Sequence, residues 1–371
     1  MNRIQVVVGG QYGSEGKGAV CRWLASGRST SCVRVGGPNA GHTAYDPTGK
    51  EWKLQQVPIG AIANSRPLYI GAGSEIDTDL LESEIRALDE AGFEVSKRLM
   101  IDPMATVVLR SHSIEEYGHA ARHGTSGLTR TIGSTGKGVG AARADRIWRR
   151  AAIIRNLPDV QNDHMVYTNS RVFKVKCQDT AWWMRNDGSD TLQIEATQGF
   201  GLGLHQPTYP FATSVDCRAI DALSQAGISP WEVLPDRFEA WVVLRTFPIR
   251  VAGNSGPMYR EISWEEIGQE PEHTTVTKKQ RRIGEWDAKL ARAALQANGS
   301  DNPWCPGPRC PVKVVITFLD YVFPPLKNCT DAEHILSLAG DWLRYREEEL
   351  GVSIRAVGTG PKTLVDLQGE Y

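Results

Sequence analysis

The sequence has no long apolar run. None of its 371 residues lies in a stretch approaching the about 18 apolar residues that a membrane-spanning helix requires. Charge of one sign is missing too. Lys and Arg number 42 and Asp and Glu 43, for a net charge of −1 and a pI near 6.7. No chain-wide basic footprint for duplex nucleic acid is present, so positive charge must act locally, on small anions. Cysteine is sparse and odd in number. The seven residues Cys21, Cys32, Cys177, Cys217, Cys305, Cys310 and Cys329 are scattered, which fits a reducing compartment. Cys305 and Cys310 stand at C-x4-C spacing with Cys329 downstream, the arrangement closest to a zinc set. No second paired motif accompanies them, and Pro306, Pro308 and Pro311 stiffen that stretch instead. A signal-peptide pattern, an internal repeat and a low-complexity tract are likewise absent, so the expectation is a cytoplasmic chain. What remains is an ordinary globular composition, 41% hydrophobic and 23% charged, read as one large domain over residues 1–371.

Glycine is not scarce, and its placement is informative. The run Val6-Val7-Val8 ends in a loop with glycine at 9, 10, 13, 16 and 18. A strand, a glycine-rich loop and a helix start aim backbone N–H groups at phosphate. Lys17 sits where a phosphate-loop lysine would sit. The match to G-x-x-x-x-G-K-[ST] is partial, with Gln11 for the first glycine and Gly18 for the hydroxyl residue. A second loop, Val35-Gly36-Gly37-Pro38-Asn39-Ala40-Gly41-His42-Thr43, follows a short strand over 31–35. Two such loops after successive strands predict one cleft at strand ends, with His42 at a loop tip as candidate acid or donor. Residues 133–140 (Gly-Ser-Thr-Gly-Lys-Gly-Val-Gly) form a third, in which Ser134, Thr135 and Lys137 could hold a phosphate.

Elsewhere the chain alternates strands and helices, which predicts a mostly parallel α/β sheet. Strands are expected at 4–8, 68–71, 99–101, 106–109, 240–247, 312–319 and, last, 352–357. Asp77 or Thr78 opens a helix stopped by Gly92, and a helix over 331–350 is stopped by Gly351. Arg143, Arg146, Arg149 and Arg150 read by default as a solvated helix face. Trp182 and Trp183 read as core or interface. Thr274 to Arg282 is a basic loop by composition.

These residues carry a resemblance. GQYGSEGKG and GGPNAGHT resemble the signatures of the adenylosuccinate synthetase family. The 132–140 glycine loop, Glu195-Ala196-Thr197-Gln198-Gly199 and Thr208 to Ser214 resemble further family motifs in the right order, from about residue 4 to 361. The resemblance implies a large, mostly parallel sheet and a two-step reaction. The purine O6 takes a γ-phosphoryl group, then the amine of L-aspartate displaces phosphate at C6. It implies Lys17, His42, Gln198 and the position of Ser14 as catalytic. Gly13, Glu15, Gly16, Gly18, Asn39, Ser134, Thr135, Thr213, Asp320, Gly358 and Gly360 are implied as nucleotide-binding, with residues 250–257 near the sugar. Mg2+ is implied as cofactor, near Ser14 and the carbonyl of Gly41. Thr277, Lys279 and Arg281 match the family's aspartate-binding threonine and two arginines. Lys279 cannot repeat an arginine's bidentate grip on a carboxylate. Arg149 matches an arginine that reaches the neighbour's nucleotide, which implies a homodimer with shared active sites.

Two departures bear on substrate. The family's first loop carries an Asp, as general base and metal ligand, where this chain has Ser14. The family's guanine-reading T-K-x-D reads Thr317-Phe318-Leu319-Asp320. Both resemble a phage branch that joins L-aspartate to dGMP, rather than IMP, for 2-aminoadenine DNA. The expectation is therefore dGMP, L-aspartate and ATP or dATP as substrates. An ordinary synthetase using IMP and GTP, and an inactive nucleotide-binding regulator, are the alternatives.

Overall fold

The computed structural model describes residues 1–26, 29–118, 127–158, 160–161, 164–167, 173–273, 280–300 and 311–368. Among these residues twelve strands form one sheet. Pairing is parallel from Ile354–Gly360 through Val312–Thr317, Phe238–Arg245, Arg3–Gly9, Thr191–Glu195, Thr30–Arg34, Leu68–Ile70 and Leu99–Ile101 to Phe173–Cys177. Antiparallel strands occur only at the margins, Thr363–Asp366 on one side and His164–Tyr167 and Val160–Gln161 on the other. Parallel strands covered on both faces read as continuous apolar runs. Val6 and Val8 enter one core cluster and Val7 the other. Trp241 and Val243 oppose Val242 and Leu244 in the same way.

Helix ends follow their local chemistry. Asp77 caps Thr78–Glu90 by accepting from the Leu80 N–H, and Asp331 caps Ala332–Leu350, which ends on Gly351 at φ 70°. Several expectations need correction. The strand expected at 106–109 is only Thr106–Val107, in a separate two-stranded sheet with Glu75–Ile76. The expected last strand is followed by Thr363–Asp366, because the Pro361-Lys362 turn folds the chain back on the sheet margin. The arginine run is not one solvated face. The helix Val139–Ile147 stops before Arg149, which takes φ 61°, and Arg143 turns inward onto Glu75. Trp182 is half exposed, while Trp183 packs against the core. No helix among the described residues is long and apolar enough to cross a membrane.

Five adjacent strands set up the site: Val312–Thr317, Phe238–Arg245, Arg3–Gly9, Thr191–Glu195 and Thr30–Arg34. All run in the same direction, so their carboxyl ends and the loops that follow line one crevice, where open α/β sheets bind ligands.

Candidate active site

The first loop links the strand Arg3–Gly9 to the helix Lys17–Ala25. Gly13 (φ 87°), Ser14 (φ 59°) and Gly16 (φ 89°) take left-handed backbone and turn the chain tightly. Ser14 is exposed. Gly18 has a packing reason: a Cβ there would lie 2.6 Å from the Thr43 carbonyl oxygen. The helix start abuts the segment carrying His42, which excludes the hydroxyl residue of an ordinary phosphate loop. Inside the turn, the Glu15 carboxylate accepts the N–H groups of Gln11 (3.1 Å) and Gly13 (2.7 Å). Lys17 Nζ donates to Glu15 Oε2 at 2.8 Å and to the Gln198 carbonyl at 2.5 Å. Both side chains are buried, so of Glu15 only the backbone N–H is left to a ligand. Removing either partner of such a pair costs about 3–5 kcal/mol, because the other charge is stranded in the interior.

His42 is not at a loop tip. It opens the strand His42–Tyr45 and is 6% exposed. Its Nδ1 lies 2.8 Å from Arg34 Nη1 and against Glu195 Oε1. Arg34, at the end of its strand, also pairs with Glu195 and donates to the carbonyls of Ala40 (2.6 Å) and Gln55 (2.9 Å). The other Glu195 oxygen accepts the Ile59 N–H at 2.8 Å. Burial, then the Arg34 charge, lower the His42 pKa to about 4 against the opposing pull of Glu195. Burial alone would raise the Glu195 carboxyl, but Arg34 and His42 outweigh it and hold it below its ordinary value. An arginine can only donate and a carboxylate only accept, so Arg34 calls for a bare Nδ1 with the proton on Nε2 and Glu195 for a protonated Nδ1, while the charged ring carries a proton on both nitrogens. Arg34 and Glu195 were not singled out from sequence. The strands they end, TSCVR and TLQIE, mix polar with apolar residues, so the charges stand out only once both strands prove buried along their whole length, where an unpaired charge is untenable.

The other candidates fall into groups. Gln198 takes φ 63° directly beside Lys17. Thr317 donates its hydroxyl to the Glu15 carbonyl at 2.6 Å, and Gly358 packs against Thr317, so these join the first loop. Thr213 holds its own loop by donating its N–H to the Leu202 carbonyl at 2.7 Å. Asn39 is partly buried and Gly41 exposed in the second loop, and Gly360 packs against the Asn328 side chain. Phe318 lies under the Arg245 guanidinium, 3.9 Å from its ring centre. Asp320 beside it is half-buried, and burial raises its pKa.

The 133–140 loop is occupied from within. The buried Glu116 carboxylate accepts the N–H groups of Gly138 and Gly140, each at 2.9 Å, and the Ser134 hydroxyl at 3.2 Å. Thr135 and Lys137 stay partly exposed, as the donors this loop can offer a phosphate. Arg149 stands apart, exposed beyond its helix beside Ile147 (73% exposed) and Trp148 (72%). Arg281 is described and lies 4.0 Å from Glu272, whereas Thr277 and Lys279 lie outside the described residues. Cys305 and Cys310 also lie outside them, and among the described residues no group of three or more His, Cys, Asp or Glu could hold a metal. The Ser14 hydroxyl and the Gly41 carbonyl are hard oxygen donors, and Glu15 is already engaged. This donor set fits a Mg2+ ion that takes most of its ligands from water and substrate phosphate.

The profile of the family described as adenylosuccinate synthetase matches residues 6–178 and 164–303. The adenylosuccinate synthetase of Thermococcus sibiricus is 31% identical over 369 residues, 98% of each chain. That of Methanocaldococcus jannaschii is 31% identical over 374 residues, 98% of this chain and 97% of the relative. Among solved structures, the cyanophage S-2L succinoaminodeoxyadenylate synthetase, bound to dGMP and to dATP as energy donor, superposes with a TM-score of 0.69 at 26% identity, over 98% of this chain and 94% of that one. The fully ligated Plasmodium falciparum adenylosuccinate synthetase shares the fold, with a TM-score of 0.77 at 18% identity over 99% and 100% of the chains.

Proposed function

The chain belongs to the adenylosuccinate synthetase family of C–N ligases, and we propose that within it this chain joins L-aspartate to C6 of dGMP at the expense of ATP or dATP. The observation that carries this reading is Ser14. A serine hydroxyl is a poor acceptor of a full proton at neutral pH. It does leave room beside purine N1 and offers a lone pair to the 2-amino group that guanine has and hypoxanthine lacks. The cyanophage protein's dGMP and dATP support the same choice.

In the first step O6 of the base attacks the γ-phosphorus, the diphosphate leaves, and the N1 proton passes to a substrate phosphate oxygen or to water. In this reading the loop N–H groups meet the phosphates, and Lys17 reaches them by exchanging a contact it makes with Glu15 or the Gln198 carbonyl. His42 Nε2 donates to oxygen on which charge grows, an interaction strongest in the transition state. Mg2+, which the Ser14 hydroxyl and the Gly41 carbonyl would help to hold, would neutralise negative charge on the phosphates. In the second step the aspartate amine forms the bond to C6 as the C6–O bond to phosphate breaks, and the amine sheds its proton. Arg281 offers a guanidinium to an aspartate carboxylate. At the triphosphate base, Phe318 removes a cationic donor suited to guanine O6, and Asp320 can accept from the adenine amino group. Adenine nucleotides are therefore expected to support turnover at least as well as GTP.

A second reading, an ordinary synthetase on IMP and GTP, has the curated relatives' names in its favour. One assay separates the two. Phosphate release is followed for IMP, GMP and dGMP with each triphosphate, with and without L-aspartate. Comparable kcat/KM on IMP, or a strict need for GTP, would overturn the proposal.

A shared site in a homodimer is part of this reading, supported by Arg149 beside exposed Ile147 and Trp148. Mixing Arg149→Leu with His42→Asn subunits is expected to restore part of the activity through hybrid dimers. No recovery, with subunit exchange verified by mass spectrometry, would mean that each site is self-contained.

A further inference from the structure

Arg245 ends the strand Phe238–Arg245 and is completely buried. Its backbone N–H and carbonyl are both clasped by the Gln11 side chain at 3.0 Å. Its guanidinium reaches three places at once. Nη1 donates to the Ser14 carbonyl at 3.3 Å, the planar face covers the Phe318 ring at 3.9 Å, and Nη2 donates to Glu272 at 2.6 Å. One side chain thus holds the substrate-facing turn of the first loop and the aromatic residue on the triphosphate-base side.

Glu272 holds that side chain in turn. Its carboxylate takes both Arg245 nitrogens, at 2.6 and 3.4 Å, and the Tyr321 hydroxyl at 3.2 Å. Arg281 Nη1 lies 4.0 Å from the same carboxylate, and the Arg281 N–H donates to the Glu272 carbonyl at 2.8 Å. Among the described residues Arg281 Nε is buried without a hydrogen-bond partner. Two guanidinium groups therefore share one carboxylate, which leaves a positive charge for an incoming anion. A buried arginine needs a counter-ion, so the position of Arg245 depends on Glu272.

We propose that Glu272 is a positioning residue that ties the L-aspartate side of the cleft, through Arg281, to the triphosphate side, through Arg245, Ser14 and Phe318. This rests on the ligase reading above. Its consequence is that one substitution, at a residue expected to touch neither substrate, weakens both.

The test compares wild type, Glu272→Gln, Glu272→Asp and Tyr321→Phe. Steady-state kinetics give kcat and the KM values for L-aspartate and ATP, with whichever purine monophosphate the wild type accepts. Calorimetric titration with ATP and with L-aspartate reads the same two affinities without turnover. Glu272→Gln is expected to raise both KM values at least about tenfold with kcat within about threefold, the pattern of lost uniform binding. Glu272→Asp should recover part of both. Tyr321→Phe, which leaves every charge in place, should shift both about two- to threefold in the same direction, and it carries the test alone if Glu272→Gln does not fold. A change confined to one ligand overturns the proposal, and so does a fall in kcat at unchanged KM, which a loss of folded enzyme would produce. A wild type inactive on every purine monophosphate would instead sink the ligase reading, and the calorimetric affinities would still decide the role of Glu272.

Discussion

Replacing His42 by asparagine is expected to lower kcat and kcat/KM together by about 10²–10³-fold, while dGMP and ATP bind with near wild-type affinity. Asparagine keeps an N–H donor but cannot take on positive charge, as the imidazole beside Glu195 can when charge develops on the transferred group. An interaction realised mainly in the transition state leaves ground-state binding almost untouched. Calorimetry for binding and phosphate release for turnover check this. A mutant with near wild-type turnover would remove His42 from the chemistry, and a wild type that binds tightly without turnover would identify a regulator.

The same substitution carries a pH signature. The folded protein holds the His42 pKa near 4, below its ordinary 6.5. Between those values the unfolded chain binds the proton and the folded one does not. The His42 contribution to stability is therefore complete above about pH 6.5 and is lost as pH falls toward 4. Melting temperature against pH should fall less steeply across that window in His42→Asn than in the wild type. Equal slopes would mean that His42 is not held neutral by its surroundings.

The second large effect concerns Ser14. Ser14→Asp is expected to raise kcat/KM on IMP relative to dGMP by about 10²-fold or more. A general base within reach of the N1 proton contributes about 10²–10⁴-fold, and the longer side chain takes the space left for the 2-amino group. Position 14 has φ 59°, a backbone region that aspartate tolerates better than most residues, so the variant should fold. The measurement is the ratio of the two kcat/KM values under saturating ATP and L-aspartate. An unchanged ratio would show that position 14 does not set the choice of purine.

How much of this was readable beforehand depended on how local each signal is. The first loop was readable because strand, glycines and Lys17 lie within about a dozen consecutive residues, and their backbone demands are local. The helix from Asp331 to Gly351 was readable for the same reason, with a cap at each end. The state of Lys17 was not, since it depends on Glu15 folding under the turn and on the Gln198 carbonyl from another strand end. Glu116 filling the 133–140 loop was hidden in the same way, for a carboxylate from a neighbouring helix can satisfy N–H groups that sequence would reserve for phosphate.

By itself, then, the sequence determined the parallel α/β architecture, through its continuous apolar strands and intervening helices. It also determined the family, through the order of its glycine-rich motifs. The tertiary structure alone decided the electrostatics of the site. Arg34 and His42 meet Glu195 across 161 and 153 residues of chain, and Arg245 meets Ser14 across 231. Such meetings arise because the sheet order places five strand ends side by side, and only there can a buried charge find the partner that makes its burial tolerable.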